Sequence, residues 1–165
     1  MTPQPATPWL RAATPADVPA LIALMRELAE FERLTHLFAA TEALVHDALF
    51  GPRANAEALV AQAGDALVGY ALYFHNFSTF VGRRGLYLED LYVQPAWRGS
   101  GTGKALLQRL AALAVERQCG RFEWTVLDWN QHAIQFYEKM GATVLPDWRI
   151  VRVAGDALLT MAQRP

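Results

Sequence analysis

Apolar positions recur along this chain at two periods, and the switches between them mark its elements. Val18, Leu21, Ile22, Met25 and Leu28 fall at helical spacing behind Thr14-Pro15-Ala16-Asp17. There Thr14 reads as an N-cap, Pro15 as the first helical residue and Asp17 as the reciprocal cap, so a helix is predicted to end near Glu30. A second helix is predicted from Thr41 until Gly51-Pro52 stops it. Residues 56–62 and 66–74 read as two strands joined at Ala63-Gly64-Asp65, a hairpin. Residues 75–85 are the least regular stretch, and 86–93 is a strand. Leu106, Leu107, Leu110, Leu113 and Ala114 form one face of a helix ending near residue 117. Residues 122–126 are the next strand, and Ala133, Phe136, Tyr137 and Met140 line a helix that Gly141 closes. Thr143, then 149–153 and 157–161, are predicted to complete a mixed sheet with a terminal hairpin at Gly155-Asp156.

The strand at 86–93 is too apolar for a half-exposed position, yet it carries Glu89 and Asp90 side by side. Successive strand side chains point to opposite faces. A one-residue bulge near Asp90 would put Leu86, Leu88, Leu91 and Val93 on one face and Tyr87, Glu89 and Tyr92 on the other.

Between this strand and the following helix lies Arg98-Gly99-Ser100-Gly101-Thr102-Gly103-Lys104. A strand, a glycine-rich turn and a helix start make a phosphate cradle, because the first helical N–H groups lack partners and the helix dipole adds positive charge. The spacing excludes two common cradles. A nucleoside triphosphate loop requires a glycine and a hydroxyl where this chain has Arg98 and Ala105, and a dinucleotide fingerprint requires a glycine at Lys104.

Composition narrows the ligand. The chain has 165 residues, 53% of them apolar and 19% charged, with a net charge of −1, so one domain with a substantial core is expected and a nucleic-acid footprint is not. Residues 1–8 form a loose Pro- and Thr-containing tail unlike a signal peptide, and residues 9–165 a single domain. The weakly charged run at 66–82 is too short and polar to cross a bilayer, which points to a cytoplasmic protein. Cys119 is the single cysteine, and His36, His46, His75 and His132 are scattered, so neither a disulfide nor a metal site is expected. Cys119 reads as a small residue at a helix end, without a histidine near it in sequence to make it a nucleophile.

Taken with Leu86-Tyr87-Leu88-Glu89-Asp90-Leu91-Tyr92-Val93, Asn130 and Phe136-Tyr137-Glu138-Lys139-Met140-Gly141-Ala142, the glycine loop resembles that of the GNAT N-acetyltransferases. Within that family Leu28-Ala29-Glu30-Phe31-Glu32 and Val126-Leu127-Asp128-Trp129-Asn130 are similar to the diamine acetyltransferases, the spermidine/spermine group and above all its thialysine-acetylating branch. The likeness runs from about Leu10 to Met161.

The resemblance implies an α+β fold: a central mixed, mainly antiparallel sheet with splayed middle strands, flanked by about four helices. It implies acetyl-CoA as cosubstrate, with Arg98, Gly99, Ser100, Gly101, Thr102, Gly103 and Lys104 around its phosphates. Leu91, Tyr92 and Val93 would border its pantetheine arm. Asn130 has two readings, a helix cap or a contact to the coenzyme, and Lys104 is either a phosphate ligand or solvated.

Acetyl transfer to an amine needs a base for the ammonium and an acid for the departing thiolate. Glu89 is the candidate base, with ion pairing as its alternative. Tyr137 is the candidate acid, a phenol whose ordinary pKa of about 10 lets it protonate a thiolate. Attack would be direct, in a ternary complex. Glu30, Glu32, Phe80, Arg83, Glu89, Asp90 and Trp148 are the candidate contacts to the acceptor, a small-molecule amine. The residues Ser78-Thr79-Phe80, with Arg83 and Arg84, depart from the acidic loop of polyamine acetylators and suit an acceptor that carries a carboxylate, such as a diamino acid. Two other readings stand beside this one: an acetyltransferase for protein lysines or N-termini, and a non-catalytic acyl-CoA-binding regulatory domain. Subfamily likeness also implies a homodimer with Trp148 near the interface.

Overall fold

The computed structural model describes residues 7–163, so the first six residues of the expected tail lie outside it. The chain falls into two compact units, Met1–Thr125 and Val126–Pro165, each taken by itself.

In the first unit five strands follow one another across a single sheet in chain order: β1 (Trp9–Ala12), β2 (Glu57–Ala63), β3 (Ala66–Ser78), β4 (Arg83–Val93) and β5 (Phe122–Trp124). The first three pairings are antiparallel and the last, β4 with β5, is parallel. The hairpin between β2 and β3 turns where expected, with Gly64 in the left-handed conformation at φ 58°. β1 has no counterpart in the sequence reading, because four residues are too few to show a period.

Helices α1 (Val18–Phe31) and α2 (Glu42–Phe50) cover one face of the sheet. Val18, Leu21, Leu24, Met25, Val45 and Leu49 pack there against Ala58, Val60, Tyr70 and Tyr92. The other face takes α3 (Thr102–Glu116), whose Leu106 and Leu110 are wholly buried. The helix starts fit the sequence signals. Thr41 accepts the Leu44 amide N–H at 3.3 Å. Asp17 accepts the Thr14 N–H at 2.7 Å and its hydroxyl at 2.9 Å, although the first turn is a 3-10 turn. Asp17 also takes both guanidinium nitrogens of Arg11, at 2.6 and 2.7 Å, which ties β1 to α1. These Arg11 bonds, with those from Thr14, hold the Asp17 carboxyl down at about 2 against the cost of its burial.

The second unit contains α4 (Gln131–Lys139) and α5 (Asp156–Gln163). The expected terminal strands are not there: residues 143 and 149–153 are irregular, and 157–161 lie inside α5. A strand needs a neighbour to take its ladder bonds, whereas a helix satisfies its own backbone. Ala157-Leu158-Leu159-Thr160-Met161-Ala162 is rich in helix formers, and Gly155 at φ 58° turns the chain into it. β5 likewise stops at Trp124, two residues short of the expected end.

Candidate active site

The acidic pair of β4 sits on a bulge. Leu72 of β3 pairs with Asp90 and Tyr73 pairs with Leu88, so Glu89 is the extra residue. Leu86, Leu88, Leu91 and Val93 therefore share the α3 face, as expected. The opposite face carries Tyr87, Asp90 and Tyr92, across from Phe74, Leu72 and Tyr70. Asp90, and not Glu89, joins the two tyrosines there, because the bulge takes up Glu89 itself. Glu89 is exposed, so the burial expected of it belongs to its neighbour.

Asp90 accepts a hydrogen bond from the Tyr70 hydroxyl at 3.0 Å. Burial raises the Asp90 carboxyl above the usual carboxylate range, the Tyr70 bond opposes that rise, and the Glu89 charge adds to it. Glu32, directly after α1, is also raised, by burial first and then by the charge of Asp90. Glu32, Asp90 and Glu89 thus form one electrostatic group at the end of α1. Glu27 fastens this helix end to β4, accepting from the Tyr92 hydroxyl and the Gln94 amide, both at 3.0 Å. Tyr70 and Glu27 escaped the sequence reading. The available signal was an inward strand position held by a tyrosine, whose hydroxyl needs a partner when buried.

β4 opens at the same place. Its parallel pairing with β5 runs from Leu86/Phe122 to Leu88/Trp124 and stops, while its pairing with β3 continues to Val93. From Glu89 to Tyr92 no described strand pairs with the β5 side of β4, an edge able to take an extended amide-bearing chain as an added strand, and at Val93 the carbonyl accepts from Arg98. The splay expected of the middle strands begins at the bulge.

Beyond Val93 a 3-10 turn (Pro95–Trp97) leads into the glycine loop. Gly99 (φ 76°) and Gly101 (φ 88°) are left-handed, a conformation that a side chain would strain. Ala105 N–H is the first helical donor with an intrahelical acceptor, the Gly101 carbonyl at 2.9 Å. The N–H groups of Thr102, Gly103 and Lys104 precede it and face the helix start, so the loop fits a pyrophosphate. Ser100 braces the turn by donating to the Trp97 carbonyl at 2.6 Å, and its hydroxyl lies 2.8 Å from that of buried Thr102. Arg98 is turned back onto the protein: its Nε donates to the Val93 carbonyl at 2.9 Å, and its guanidinium stacks 5.0 Å from Phe31 and 5.5 Å from Tyr92. Lys104 is exposed.

Other expected contacts lie elsewhere. Glu30 is on the exposed side of the last turn of α1. Phe80 and Arg83 lie at the far end of the β3–β4 hairpin, where Arg83 is six strand residues, roughly 20 Å, from Glu89. Within the second unit Asn130 caps α4 by accepting the Ala133 N–H at 3.2 Å. The Tyr137 ring lies 5.5 Å from that of Phe136, and Trp148 is exposed. Among the described residues no three His, Cys, Asp or Glu side chains cluster as metal ligands, and no helix is long and apolar enough to cross a membrane.

Residues 20–142 match the model of the Acetyltransferase (GNAT) family. The chain belongs to that family. This GNAT enzyme is 36% identical to mouse (Mus musculus) thialysine N-epsilon-acetyltransferase over 166 residues, covering 94% of this chain and 97% of the relative. It is 35% identical to L-ornithine N5-acetyltransferase of Arabidopsis thaliana, covering 90% and 85%. An integron cassette protein from V. cholerae shares the fold with a TM-score of 0.81 at 24% identity, covering 96% of this chain and 99% of that one. The protein is thus an N-acetyltransferase acting on amines, in a family that draws its acetyl group from acetyl-CoA.

Proposed function

We propose that this enzyme acetylates a primary amine of a small diamine or diamino acid of the thialysine type, by direct attack of the amine on acetyl-CoA in a ternary complex. The observation that carries the reading is the convergence of Glu32, Asp90 and Glu89 where β4 loses its β5 neighbour. An alkyl ammonium has a pKa near 10.4 and arrives charged. Partly buried carboxyls lower the cost of desolvating it, and their mutual repulsion is relieved when a cation enters.

Acetyl-CoA supplies the thioester that is attacked. The loop from Gly99 to Lys104 would hold its phosphates on backbone N–H groups, with Arg98 swinging from Tyr92 to join them. The free edge of β4 at Leu91 and Val93, with Tyr92 between them, would hold its amides. Asp90, fixed by Tyr70, and Glu32 orient the ammonium. Glu89, exposed on the bulge, takes the proton directly or through a water molecule. Tyr137 is assigned the proton donor to the departing thiolate, and Asn130 a coenzyme contact beside its capping role. The assignments in the second unit rest on family likeness alone, that of Asn130 and that of Phe136-Tyr137-Glu138-Lys139-Met140-Gly141-Ala142.

The test is CoA release from acetyl-CoA with thialysine, lysine, ornithine, putrescine, spermidine and an N-terminal peptide as acceptors. A clear preference for diamino acids or short diamines is expected. Preference for the peptide would overturn the acceptor, and acetyl-CoA binding with no turnover would favour a regulatory domain. In the same assay Tyr137→Phe should lower kcat at least about a hundredfold and leave acetyl-CoA affinity within twofold, the usual scale for a lost general acid. An unchanged kcat removes Tyr137 from the chemistry.

A further inference from the structure

The far end of the β3–β4 hairpin holds a second cluster that acetyl transfer does not use. His75 and Asn76 of β3, Arg83 and Arg84 of β4, and Arg117 and Gln118 after α3 line an open cavity of about 710 Å³. Arg83, Arg84 and Arg117 are among its lining residues, and no Asp or Glu is. Neither Arg83 nor Arg84 has a carboxylate within ion-pair distance among the described residues.

Arg117 is fixed in position. Glu57 accepts from both of its terminal nitrogens, at 2.5 and 2.8 Å, and Nη1 lies 2.8 Å from His75 Nε2. His75 Nδ1 lies 3.0 Å from the Gly85 carbonyl. Nδ1–H therefore donates to that carbonyl and Nε2 accepts from Arg117, which selects one imidazole tautomer. The backbone behind the cavity is tightly packed. A side chain at Gly120 would meet Val81 at 2.5 Å, and one at Gly85 would meet Asn76 Oδ1 at 2.3 Å. Gly120 N–H donates to the Arg84 carbonyl at 2.9 Å, binding the turn after α3 to β4. Gln118 holds a left-handed backbone (φ 57°) where α3 closes, a conformation uncommon for a residue with a side chain. Asn76 Oδ1 is packed against Gly85 without a hydrogen-bond partner, and being an acceptor it offers an anion nothing, so the Asn76 contact to a ligand would come from its Nδ2–H groups.

We propose that this cavity is a second ligand site, for a small organic polyanion bearing carboxylate or phosphate groups. Guanidinium forks match the paired oxygens of both groups, and charge-assisted bonds of this kind are the stronger hydrogen bonds. The volume lies in the range that holds a whole small molecule, so more than one anionic group fits. Arg117 is already paired with Glu57, so the uncompensated charge is that of Arg83 and Arg84, which repels an amine acceptor and leaves their two forks for the anion. The cavity extends from His75, which pairs with Leu86, out to Arg83, roughly 20 Å along β4 from Glu89, so its arginine end lies away from the acetyl-transfer centre.

The experiment is a residue-resolved amide NMR titration of the full chain, with excess CoA present to fill the glycine loop. Citrate and inorganic pyrophosphate are the two probes, and the arm that saturates first identifies the preferred group. Saturable shifts at Asn76, Phe77 and Gln118 are expected. The double variant Arg83→Ala/Arg84→Ala should weaken binding more than about tenfold while the β2 and β3 amide pattern is kept. Arg84→Lys, which keeps the charge and loses the fork, should bind with intermediate strength. Linear, unsaturable shifts, shifts confined to residues 99–104, or full binding by a folded double variant would each overturn the site.

Discussion

At the scale of single residues, burial sets what each carboxyl does. Asp90 is raised by burial, and the sign follows from that: the fold favours its neutral form, so the stability it contributes is full at pH below its unfolded value and is lost as pH rises through its folded one. Ionised Asp90 thus destabilises the protein at neutral pH while attracting an ammonium. Asp90→Asn should raise Tm at pH 7 and raise KM for the amine about tenfold or more, with kcat little changed; an unchanged KM would remove Asp90 from the acceptor site. Asp17 has the opposite sign. Arg11 and Thr14 lower it to about 2, so its stabilisation is present above pH 4 and disappears as pH falls toward 2. Asp17→Asn should cost about 2 kcal/mol in urea unfolding at pH 7 and little near pH 2. Equal losses at both pH values would mean that packing, not charge, is responsible. Asp17 was legible in the sequence as a cap, because the cap is local. Its bidentate Arg11 partner was not, because β1 was not.

At the scale of elements, the glycine loop shows how a local pattern reports function. Gly101 is left-handed, and a Cβ there would meet nothing within 4 Å. Gly101→Ala therefore strains the backbone by roughly 1–2 kcal/mol without a clash in the free protein. Acetyl-CoA affinity should fall more than tenfold in a calorimetric titration, while the protein still folds. Retained affinity would move the phosphates elsewhere. The bulge in β4 was also legible, since two adjacent acids break an otherwise strict alternation. Which acid it would leave buried was not: that depended on the pairing of Asp90 with Leu72 and of Leu88 with Tyr73, 18 and 15 residues away in the chain. The terminal strands failed for a related reason, because residues 157–161 suit a helix equally well and only a sheet neighbour would have decided otherwise.

At the scale of the whole molecule, apolar exposure bears on assembly. Trp148, Ile150, Val151, Leu159 and Met161 are all more than 60% exposed. So many exposed large apolar side chains in one 14-residue stretch motivate the homodimer expectation. Sedimentation equilibrium should give about twice the 18.3 kDa of one chain, and a single-chain mass would overturn it. By itself the sequence determined the first four α-helices, the central hairpin, the bulge and the glycine loop, since period, capping and turn chemistry act within a few residues. Its family motifs carried the enzyme class. Only the tertiary structure decided that Asp90 pairs with Tyr70 and feels Glu32, that Cys119 lies 3.8 Å from His75, and that Arg117 meets Glu57 beside two unpaired arginines. Those groups stand between 20 and 60 residues apart in the chain, where no local pattern reaches, and strand register together with the packing of α1 and α3 on the sheet brings them together.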